Sequence, residues 1–150
     1  MAIFFEFETD FISSLRCIPM QVRYKLDTCG IKLKLSDWSH MTTAEREALV
    51  ELPCSTPTEI QSYREYIQQL VLKHTGKPAS ELPIEFNPAW MDTNIVPISL
   101  QEKAKELGVS ITLEQWSVLT PLQRFALIKL SRSGHENQNF PHAIKEFNLL

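Results

Sequence analysis

The chain contains one segment twice. Shifting the sequence by 78 residues sets 19–52 over 97–130, and eleven of the 34 aligned positions are identical: Pro19, Lys25, Gly30, Leu35, Trp38, Ser39, Thr42, Arg46, Ala48, Leu49 and Leu52. Average composition would leave roughly two such matches by chance. Each copy must therefore satisfy one folding pattern, and that pattern limits the architecture before any other feature is considered.

Both copies read as helix, short extended loop, helix. Pro19 and Pro97 suit a first helical turn, where a missing N–H costs nothing. Val22, Leu26 and Cys29 make an apolar stripe that recurs as Leu100, Ala104 and Leu107. Gly30 and Gly108 follow as helix-ending glycines. The runs Ile31–Leu35 and Val109–Leu113 alternate as extended chain does. They either pair as a minimal two-stranded ribbon or run singly along the core. A turn carrying Trp38 or Trp116 leads into a second helix, opened by the capping boxes Thr42-x-x-Glu45 and Thr120-x-x-Gln123.

Between the copies, Thr56-Pro57-x-Glu59 opens a middle helix over 57–74, with Ile60, Tyr63, Ile67, Leu70, Val71 and His74 on one face. Residues 77–97 hold four prolines and read as an irregular crossing. The polar tail 131–150 ends in one short helix from Phe140. The expectation is one all-α domain over 1–150, of about six helices, with the two units related by a pseudo-two-fold axis.

Net charge is −3, so no overall field draws nucleic acid or anionic lipid. The second helix of the first copy sets Glu45, Glu47 and Glu51 against Arg46, which disfavours a helix-turn-helix nucleic-acid binder. No run of about 18 apolar residues is present, and the Phe-rich start "MAIFFEFETDF" lacks the pattern of an export signal. Cytoplasmic residence with reduced thiols is expected.

Convergent chemistry is scarce. Cys17, Cys29 and Cys54 are the one thiol set that metal or redox work could use, but they form no Cys-x-x-Cys pair. Two of them align with Ile95 and Leu107, which marks them as core thiols, while Cys54 falls opposite Arg132 and should be more exposed. The four histidines have no ligand spacing, and the loop after Asp27 lacks the oxygen donors of a calcium site. No metal, cofactor or catalytic residue is expected.

Duplicated side chains should be architectural. Trp38 and Trp116 read as core plugs, and Arg46 and Arg124 as donors to carbonyls where the first helix ends. Positions where the copies differ are better contact candidates. His40, Ala44 and Glu47 become Val118, Leu122 and Phe125, which leaves the last long helix apolar nearly all round. It needs cover from the middle helix, the Phe-rich N-terminus or a partner. The candidate partner contacts are Leu122 and Phe125, Arg16 and Arg23 with Asp10 near the N-terminus, and Trp90 and Met91 in "NPAWMD".

The stretch "FFEFETDFISSLRCIPMQVRYKLDTCGIKLKLSDW" (4–38), continued by "LVELPCSTPTEIQSYREYI", resembles the nitrate reductase-associated protein family of cyanobacteria. The resemblance implies a small cytosolic protein that serves an assimilatory, molybdenum-dependent nitrate reductase, its protein partner. It carries no catalytic motif to any residue. An accessory protein is therefore expected, with a thiol-based carrier for the same enzyme as the alternative.

Overall fold

The computed structural model describes residues 2–9, 14–132 and 137–150. It is all-α: 61% of the structure is helical, in eight helices, and 3% is strand. The chain divides into two compact units, Met1–Ile84 and Glu85–Leu150, and each contains one copy of the repeat.

The first unit holds α1 (Met20–Cys29), β1 (Ile31–Lys32), α2 (Leu35–Ser39), α3 (Thr43–Glu51), α4 (Pro57–Thr75) and β2 (Ser80–Glu81). Pro19 stands one position before the first helical residue rather than inside the first turn. Gly30 ends α1 at φ 76°, a left-handed value that side chains resist. Helix α4 carries the expected capping box at Thr56 and buries Tyr63, Ile67, Leu70 and Val71 against α1 and α2.

The ribbon exists, with a different partner from the one the alternation suggested. Ile31 and Lys32 pair antiparallel with Glu81 and Ser80, not with the second copy's loop. Two side chains one turn apart on α4 hold the returning segment. Arg64 forms an ion pair with Glu81 and donates to the Cys29 carbonyl at 2.7 Å. Gln68 brackets Ala79, accepting from its N–H at 2.7 Å and donating to its carbonyl at 3.2 Å.

The second unit holds a 3-10 turn (Ala89–Met91), then α5 (Ile98–Glu106), α6 (Leu113–Val118), α7 (Pro121–Arg132), a second turn (Asn137–Asn139) and α8 (Phe140–Glu146). Leu100 and Ala104 are fully buried, but Leu107 ends the predicted stripe 41% exposed. Its residue caps α5 instead of extending it.

Among the described residues there are eight helices rather than six because both tryptophan turns close into short helices. Trp38 N–H donates to Lys34 at 3.1 Å, and Trp116 N–H to Thr112 at 3.0 Å. Helix α6 also opens with a capping box at Thr112 and Gln115, so Leu113 is helical and not the end of an extended run.

Candidate functional site

The repeated side chains fill the centre of each unit. Trp38 and Trp116 are both completely buried. A buried indole needs a partner for its N–H. Trp38 donates to the Leu15 carbonyl at 2.6 Å, and Trp116 to that of Asp92 at 2.8 Å. Arg46 and Arg124 each lie 5.9 Å from the tryptophan of their own copy and donate to its carbonyl. They serve the end of the short tryptophan helix, rather than the end of the first helix as expected. Arg46 also reaches Ser39 O at 3.0 Å near the surface. Arg124 is 4% exposed and additionally holds Leu119 O and, at 2.6 Å, Trp90 O.

The contact candidates on the second unit lie around these bonds in different settings. Phe125 was expected to meet a partner, yet it is fully buried, with its ring edge-on to Trp90 at 5.0 Å. The apolar excess of α7 is covered within its own unit by the 89–91 turn, α5 and α8. Trp90 is half-buried and acts through its ring and its carbonyl as a pin for the crossing. Leu122 is half-buried, and Met91 is 51% exposed. In the first unit Arg16 is exposed, while Arg23 is half-buried and donates to Ile18 O at 3.3 Å. Asp10 and His135 lie outside the described residues.

The thiols do not behave as one set. Cys17 is half-buried, against the expectation of a core thiol. Cys54 is buried, against the expectation of exposure, because its Sγ lies over the carbonyl of Lys25 at 3.8 Å. Cys29 Sγ faces Leu26 O at 3.6 Å. Burial pushes Cys29 up to about 11 and Cys54 to about 12, so both stay protonated at neutral pH. Among the described residues, no group of three His, Cys, Asp or Glu side chains is placed to hold a metal ion.

Several important groups were not recognised from sequence. Lys25 is 8% exposed, and its ammonium donates to Val50 O at 2.7 Å and Leu52 O at 2.6 Å, with the Tyr63 ring 5.6 Å away. Burial lowers its pKa, and its donors cap the carbonyls at the end of α3. Its identity in both copies was the available signal. Glu8 is 2% exposed and supplies α1 with the cap that Pro19 cannot, accepting from Met20 N at 2.8 Å. Glu45 does double duty. It closes the capping box of α3 and binds His74 at 2.8 Å and Lys73 at 3.2 Å at the far end of α4.

One recess stands apart from this architecture. Between the end of α3 and the first half of α4 lies an open groove of about 570 Å³. Ala48, Leu52 and Pro53 line one side, and Ser62 and Tyr66 the other. Tyr63 is its floor: the ring is 1% exposed, and its hydroxyl donates to Leu49 O at 2.6 Å. The charged residue in the lining is Glu59, whose carboxyl is held low by the amides of Thr56 and Ser55 that it accepts. The groove offers mainly apolar area, with the single carboxylate of Glu59.

No helix among the described residues is long and apolar enough to cross a membrane. No curated protein and no solved structure matches the chain. The sequence model of the conserved nitrate reductase-associated protein family matches residues 4–147, nearly the whole chain, and the chain belongs to that family.

Proposed function

We propose that this protein is a non-catalytic accessory protein that binds a molybdenum-dependent assimilatory nitrate reductase and supports its maturation or its active form. Membership of the nitrate reductase-associated family across both units carries the reading. The side-chain chemistry agrees with it. Lys25, Arg124, Glu8 and Arg46 are all committed to backbone groups. A protein that recognises only the folded enzyme stabilises it by mass action, without any chemical step of its own.

The test is size-exclusion chromatography with purified nitrate reductase in cofactor-free and cofactor-loaded forms. Co-elution with the cofactor-free enzyme alone identifies a maturation factor. Co-elution with the loaded enzyme identifies a stabiliser or subunit. No complex with either form refutes the proposal. A thiol-based carrier is the weaker reading, because Cys29 and Cys54 are buried and held protonated. Replacing Cys29 with Leu, the residue of the other copy, should leave nitrate reductase activity intact.

A further inference from the structure

We draw no further inference here: the strongest candidate, the open apolar groove between the end of α3 and the first half of α4, carries none because nothing in the structure shows what covers it.

Discussion

Arg46 and Arg124 occupy one repeat position but different environments, and replacing each with Met should separate them. Arg124 is 4% exposed and makes two short bonds, to Trp90 O at 2.6 Å and to Leu119 O, with a third long one to Trp116 O at 3.4 Å. A hydrogen bond from a charged donor contributes about 1.5–3 kcal/mol. Two such bonds, with the long one counted near zero, put Arg124→Met at about 3–5 kcal/mol. Methionine refills most of the volume, so the loss is mainly that of stranded carbonyls. Arg46 makes two bonds of 3.1 and 3.0 Å near the surface, where water replaces the donor, and Arg46→Met should cost about 0.5–1.5 kcal/mol. The stacking distance is the same in both copies, 5.9 Å, so it cancels in the comparison. Urea denaturation followed by far-UV circular dichroism and tryptophan fluorescence measures the difference. With a slope of about 2 kcal/mol/M, the midpoint should fall by about 1.5–2.5 M for Arg124→Met and by under about 0.8 M for Arg46→Met. If the two signals do not coincide, the units unfold separately, and each variant is read on the transition it moves. Equal shifts, or a larger one for Arg46→Met, would refute the argument from burial.

Three further outcomes follow from named groups. Glu45 is lowered from 4.5 to about 2, chiefly by the Thr42 amide and then by His74 and Lys73. Its folded value lies below its unfolded one, so its contribution is complete above about pH 4.5 and lost as pH falls toward 2. Glu45→Gln should flatten the acid side of the stability profile in that window, and an unchanged slope would count against the clasp. Gly30→Ala should destabilise more than Gly108→Ala, although both glycines are left-handed, at φ 76° and 73°. A Cβ at Gly30 would lie 2.8 Å from Ile84 Cγ1 and 2.9 Å from Leu82 O, whereas nothing lies within 4 Å at Gly108. Strain alone accounts for about 1–2 kcal/mol at each site, the clash adds about 1–3 kcal/mol at Gly30, and equal melting temperatures would remove that clash. Thiol titration of the native protein at pH 8 should modify Cys17 first, because Cys29 and Cys54 stand near 11 and 12. A fast phase that survives Cys17→Ser would contradict this.

Local chemistry was legible in the sequence because it is decided within one turn of chain. The capping boxes at Thr42 and Thr56 form as their spacing implies. Gly30 and Gly76 end their helices in left-handed backbone. The duplicated tryptophans are buried because a large apolar ring at a repeated position has one stable place to go. The family was likewise carried by a contiguous stretch of residues and extends over 4–147.

What crosses long sequence separations was settled by packing. The loop alternation announced an extended segment but not its partner, since a two-residue ribbon is specified by whatever α4 holds beside it, here through Arg64 and Gln68. Phe125 looked like a contact residue because sequence shows an apolar face without showing its cover, which the 89–91 turn and Trp90 provide. Cys54 looked exposed opposite an arginine, and Lys25 looked like any helical lysine. Only the docking of α1 on α3 places the Lys25 ammonium under the last carbonyls of α3 and the Cys54 thiol over the carbonyl of Lys25. The groove belongs to the same class. Its apolar lining comes from α3, α4 and the turn between them, and exists only once the fold brings those segments together.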